Sequence, residues 1–150
     1  MSDIERQRAI RIARSWIGTP YHTGARVKGQ GADCITLLAG IFEEAALVPR
    51  IEIPTYSPQW HLHHSAERYL EGLLKYTKEI PGPPKPGDIA LWKFGRCFSH
   101  GAIVIAWPQV MHAYVGSSCR YENAETAQWL KFMGEERGKL RPVRFFSIWG

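Results

Sequence analysis

The chain has 150 residues, 45% of them hydrophobic and 22% charged, with 19 basic and 14 acidic side chains and a net charge of +5. That size suits one ordinary domain with a real core, so residues 1–150 are read as a single domain, and the balance excludes a disordered chain. No apolar run reaches the roughly 18 residues of a membrane span, the scattered basic residues form no block or motif for nucleic acid, and an odd number of cysteines rules out a disulfide framework.

In chain order, Ser2 opens directly into a charged amphipathic pattern without a signal segment, so synthesis in a cytoplasm is expected. Ser2 and Glu5 have capping-box spacing, and Ile4, Ile10, Ala13, Trp16 and Ile17 recur at helical intervals until Gly18-Thr19-Pro20. Gly18, Gly24, Gly29 and Gly31 then predict an ordered loop over 18–32 in which backbone can approach closely. Asp33 is the expected N-cap of a second helix, with Ile35, Leu38, Ala39, Phe42 and Ala46 along one face and Pro49 as its terminator. Cys34 therefore falls in the first helical turn. A third helix is expected over Ser65 to Lys78, ended by PGPPKPGD at 81–88.

Beyond this the period changes. Asp88 to Phe94, His100 to Ala106, Val110 to Val115 and Val143 to Trp149 read as strands bounded by turn residues. Helices first and strands afterwards predict an α+β fold, with N-terminal helices packed on a C-terminal antiparallel sheet.

A helix N-terminus lowers a thiol's pKa because its unpaired N–H groups point at the sulfur, whereas the neighbouring charge of Asp33 stabilises the protonated form. The thiol still needs a base. His22, His61, His63, His64, His100 and His112 are the candidates, and a hairpin brings the last two together as base and orienting partner. A tight turn at Pro108-Gln109 would send His112 to the wrong face, so a looser turn near Ala106 or a bulge nearby is expected.

Other readings compete. Cys97 and His100, with His112 and Cys119, offer four zinc ligands, but no second closely spaced pair completes a signature, and His61, His63 and His64 read as a polar stretch before a helix. Cys34 itself has the alternative of a small buried hydrophobe. Asp88 reads as a turn residue, and Trp92, Trp107 and Trp129 as packing or as the wall of a sugar or peptide groove.

The segments GTPY (18–21), GADC (31–34), KPGDIALW (85–92), SHGAIVI (99–105) and MHAYVG (111–116), in that order, resemble the NlpC family of papain-like cysteine peptidases that cut bacterial cell-wall peptides. The resemblance implies a papain-like fold with Cys34 as nucleophile, His100 as general base and His112 as the orienting third residue. It places Tyr21, Asp33 and Ile35 on the oxyanion and substrate side, with the Tyr21 hydroxyl near the oxyanion. It further implies a peptidoglycan stem peptide as substrate, cut between D-glutamate and the diamino acid, with no cofactor and no metal. SPQWHLHHSAERYLEG resembles a subgroup associated with phage tails, which implies tail proteins as partners and action at the bacterial cell wall. Ile35-Thr36 stands where the family usually has Ser-Gly, a departure that bears on substrate preference. A structural tail or assembly component of the same fold and a thiol acyltransferase are the alternatives.

Overall fold

The computed structural model describes residues 2–54, 68–133 and 138–150. His61, His63 and His64, and the expected start of the third helix at Ser65, lie outside these residues.

The first helix, α1, spans Ser2–Ser15 and buries Ala9, Ile10 and Ala13. Arg6, one turn ahead of Ile10 on the same face, reaches the turn before the sheet, donating to Asp88 Oδ1 at 2.8 Å and to the Pro86 carbonyl at 3.0 Å. Asp88 is the expected turn residue, its second oxygen accepting from Lys85 N–H, and it is also the buried anion that fixes α1. The glycine loop folds back as a short antiparallel pair, β1 (Arg26–Val27) and β2 (Gly31–Ala32).

Helix α2 spans Cys34–Glu44 and buries Leu37, Leu38, Ile41 and Phe42. Pro49 does not end it. Ala46 turns into the left-handed region at φ 58°, and bonds from Ala46 N–H to Glu43 and from Leu47 N–H to Phe42 close a Schellman motif. Helix α3 covers Arg68–Leu74 and stops short of the expected Lys78, which instead begins strand β3 (Lys78–Ile80). Three residues are too few to show a period, and their pairing with a distant strand decides their state.

The sheet is completed by β4 (Ile89–Phe94), β5 (Cys97–Ala106), β6 (Gln109–Ala113), β7 (Cys119–Asn123) and β8 (Val143–Ser147). Its order is β3-β8-β4-β5-β6-β7, antiparallel throughout. A short helix, α4 (Gln128–Lys131), follows β7. One face of the sheet, through Ile89, Leu91, Ile103 and Met111, packs on α1, α2 and Tyr69 and Leu70 of α3; the other, through Ala90, Trp92, Ala102, Val104 and Val110, packs on Leu130 of α4. This is the expected α+β arrangement. Among the described residues no helix is long and apolar enough to cross a membrane.

Two register shifts shape the region that matters. Trp92 pairs with His100 but Lys93 pairs with Phe98, which leaves Ser99 as a bulge immediately before His100. On the other edge of β5, Ala106 pairs with Gln109 around a tight turn at Trp107-Pro108, whereas Val104 pairs with Val110, so Ile105 is bulged.

Candidate active site

The site is built on the first turn of α2. Asp33 caps it: Oδ1 accepts from Ile35 and Thr36 N–H, both at 2.9 Å, while Thr36 Oγ1 accepts from Asp33 N–H at 2.8 Å. Its other oxygen accepts from Gly24 N–H at 2.7 Å, which ties the glycine loop to the helix start. Thr36 thus supplies half of the capping box.

These bonds show how Asp33 and the Ile35 amide are engaged. Asp33 is 1% exposed, with both carboxylate oxygens accepting from backbone amides that fix the helix start and the glycine loop. The Ile35 amide is spent on Asp33 and is not available to an oxyanion, and the Ile35 side chain packs against the core. It lines a cavity of about 410 Å³ that runs along Leu38, Phe42 and Tyr69 and whose lining, among the described residues, includes neither Cys34 nor His100 nor His112.

Cys34 is partly buried. Its thiol donates to the Ser99 carbonyl at 3.5 Å, and the backbone of Gly101 also bonds to it, so the sulfur rests against the chain on both sides of His100. Tyr69, absent from the sequence candidates, donates its hydroxyl to the Cys34 carbonyl at 2.8 Å. It can do so because residue 101 is glycine: a Cβ there would lie 2.9 Å from the Tyr69 Cζ.

The expected helix-terminus activation does not prevail in this state. Burial first and the Asp33 charge second push the thiol up to about 12, against the pull of the Gly101 and Cys34 backbone amides. Tyr21 stands close enough to Cys34 and Asp33 to feel both charges. With burial as the largest cause, its phenol is also raised to about 12, so it keeps its proton and remains a donor.

The bulge at Ile105 brings the histidines together. One step beyond Ile103↔Met111, the register sets His112 opposite Ala102, which places its ring diagonally beside His100 on one face. His100 Nε2 and His112 Nδ1 lie 2.8 Å apart, with the rings edge to face. His112 is fully buried. Burial, with a smaller push from the Arg120 charge, lowers its pKa to about 4 and keeps the ring neutral.

An aromatic wall encloses the pair. Trp129 stacks on His112 at 5.4 Å and meets His100 edge-on at 5.7 Å, while Trp92 and Phe94 flank His100 at 6.1 and 5.5 Å. Trp92 and Trp107 pack on one another, as does Trp107 on Phe145. Arg141 holds Trp129 in place: its guanidinium donates to the carbonyls of Lys93, Trp129 and Phe132 and lies 3.6 Å over the Phe94 ring. Tyr69, Arg141 and Arg120 had no motif to announce them, since each acts across a contact that only the fold creates.

Cys97 and Cys119 belong to the cluster facing α1 and α2, on the side of the sheet away from the core in which His100 and His112 are set, so these four do not converge. Among the described residues no group of three or more His, Cys, Asp or Glu is placed to hold a metal ion.

A helix presenting a cysteine at its N-terminus to an antiparallel sheet that carries paired histidines is the papain-like α+β arrangement. Solved structures share the fold. The NlpC/p60 domain of the peptidoglycan hydrolase SagA aligns with a TM-score of 0.59 at 20% identity, over 80% of this chain and 90% of that one. A lipoprotein-like NLP/P60 protein of Staphylococcus aureus gives 0.63 at 17% identity over 96% of this chain, and the peptidoglycan hydrolase RipB of Mycobacterium tuberculosis gives 0.59 at 16% over 98%. The chain spans 42% of the staphylococcal protein and 66% of the mycobacterial one. No family model and no curated protein matches the sequence. At these identities the likeness is one of fold.

Proposed function

We propose that the chain is a cysteine peptidase of the NlpC type that hydrolyses an amide bond in peptidoglycan stem peptides. The observation that carries this reading is the thiol of Cys34 lying against the backbone on both sides of His100, with His112 hydrogen-bonded behind it. The names of the structural neighbours SagA and RipB, both peptidoglycan hydrolases, agree with it.

In this mechanism the Cys34 sulfur attacks the scissile carbonyl carbon while its proton passes to His100. With burial pushing the thiol up, proton transfer accompanies the attack. The oxyanion is met by the Cys34 N–H and the protonated Tyr21 hydroxyl. His100 then protonates the departing amine, the carbonyl collapses to a thioester, and water activated by the same imidazole releases the acid and restores the thiol. His112, neutral and immobilised under Trp129, orients His100 throughout. The bond from D-glutamate to the diamino acid is the proposed scissile bond, and a phage tail the proposed carrier, with its other proteins as partners.

Digestion of purified muropeptides by the protein and by Cys34→Ala tests the proposal. The expected result is a new amino terminus on the diamino acid with the native chain and none with the variant. Cleavage that survives the substitution overturns the nucleophile, and no cleavage by either protein favours a structural component with the same fold.

A further inference from the structure

His112 has two ring nitrogens, and a neutral imidazole carries one proton between them. Nδ1 meets His100 Nε2 at 2.8 Å. Nε2 is buried and, among the described residues, has no hydrogen-bond partner. The nearby group is a carboxylate: Glu122 Oε2 lies 3.6 Å from it, just beyond hydrogen-bond length, and the same oxygen is held by Arg120 at 3.2 Å. Both residues come from β7, where Arg120 pairs with His112 and Glu122 with Val110, so they share the histidine face.

The hydrogen between the two rings has two possible owners. If His112 donates from Nδ1, its Nε2 points a lone pair at a carboxylate, and a neutral His100 then has its proton on Nδ1 and cannot act as a base through that atom. If His100 donates from Nε2, its Nδ1 is a lone pair able to take a proton, and His112 carries its hydrogen on Nε2. A carboxylate at 3.6 Å attracts an N–H there and repels a lone pair.

We propose that Glu122 is a positioning residue of the site: it selects the Nε2–H tautomer of His112 and so leaves Nδ1 of His100 as the proton acceptor. Arg120 fixes the carboxylate and offsets its charge. Small closures on substrate binding would bring Glu122 to hydrogen-bond length, as such contacts are often long in unliganded sites. The inference deepens the peptidase reading and rests on it for its catalytic consequence.

The test pairs a spectrum with a rate. Nitrogen-15 NMR of histidine-labelled protein reads the tautomer of His112 without substrate, and muropeptide turnover reads the consequence. The native chain is expected to show the Nε2–H form. Glu122→Gln, which keeps an acceptor oxygen, retains that form, whereas Glu122→Ala shifts the population toward Nδ1–H. In the same series Glu122→Ala lowers kcat at least roughly tenfold with KM little changed, and Glu122→Gln recovers most of it, since a misplaced tautomer acts on the chemical step. An Nδ1–H form of His112 in the native chain, or a tautomer and kcat indifferent to Glu122→Ala, overturns the proposal. A native chain that cleaves nothing while the tautomer still follows Glu122 sinks the peptidase reading and leaves the tautomer assignment supported.

Discussion

Cys34 sits between opposing influences. The amides of Gly101 and of Cys34 itself favour the thiolate, but burial and the Asp33 charge outweigh them and leave the resting thiol protonated up to about 12. Alkylation by iodoacetamide should therefore be slow at neutral pH and rise about tenfold per pH unit, without a plateau up to about pH 10, because only the thiolate reacts. A plateau with a midpoint near neutrality would mean that an ion pair with His100 already exists. At this scale the sequence was informative about identity and less so about state. An acid and a thiol at a helix start, and histidines on adjacent strands, were legible from residue type and spacing. How far the sulfur is buried, and that both Asp33 oxygens and the Ile35 amide are consumed by capping, depend on packing around Gly24 and Gly101 that no spacing records.

Among the elements, α2 was legible because a capping aspartate precedes an apolar stripe, but its end was not: Ala46 enters the left-handed region without the glycine that normally signals it. Ala46 is exposed, so Ala46→Gly removes a steric penalty with little loss of packing and should stabilise the fold by about 0.5–1 kcal/mol in urea unfolding. Loss of stability would show that helix propensity outweighs the turn. The hairpin β5–β6 was readable through a conflict: its apparent turn put His112 on the wrong face, and the bulge needed to resolve that conflict is present at Ile105, while the turn itself stays tight. Strands β3 and β7 and helix α4 were not readable, since KEI, CRYEN and QWLK are short, charged pieces whose state is imposed by neighbours. Arg141 makes α4 part of the site. Arg141→Ala frees three carbonyls and the Trp129 stack, with an expected destabilisation of about 2–3 kcal/mol and a fall in kcat; Arg141→Lys should not restore it, because one ammonium cannot reproduce a guanidinium fork. An unchanged kcat in a folded Arg141→Ala would separate the Trp129 wall from catalysis.

For the molecule as a whole, the sheet is the device that joins the two halves of the proposed site. Its helix-facing side and the Arg6–Asp88 ion pair set α1 and α2 against β5, and its opposite side buries the imidazole of His112 beneath Trp129. That burial has a global consequence. The unfolded chain protonates His112 near its ordinary value of 6.5, whereas the folded chain resists protonation until about pH 4. The neutral ring thus contributes its stability in full above about pH 6.5, and the contribution is lost as the pH falls toward 4, by about 3 kcal/mol in all. Urea unfolding of the native chain and of His112→Gln at about pH 7.5 and about pH 5 should show a steeper loss for the native chain. Parallel losses would place the acid sensitivity elsewhere. The acyl-enzyme offers the most direct examination of the chemistry as a whole: a stem-peptide substrate mixed with the protein, quenched in acid within the turnover time and digested for mass spectrometry. The expected result is an acyl group in thioester linkage on the peptide containing Cys34. Turnover accompanied by an adduct on any other residue would contradict it.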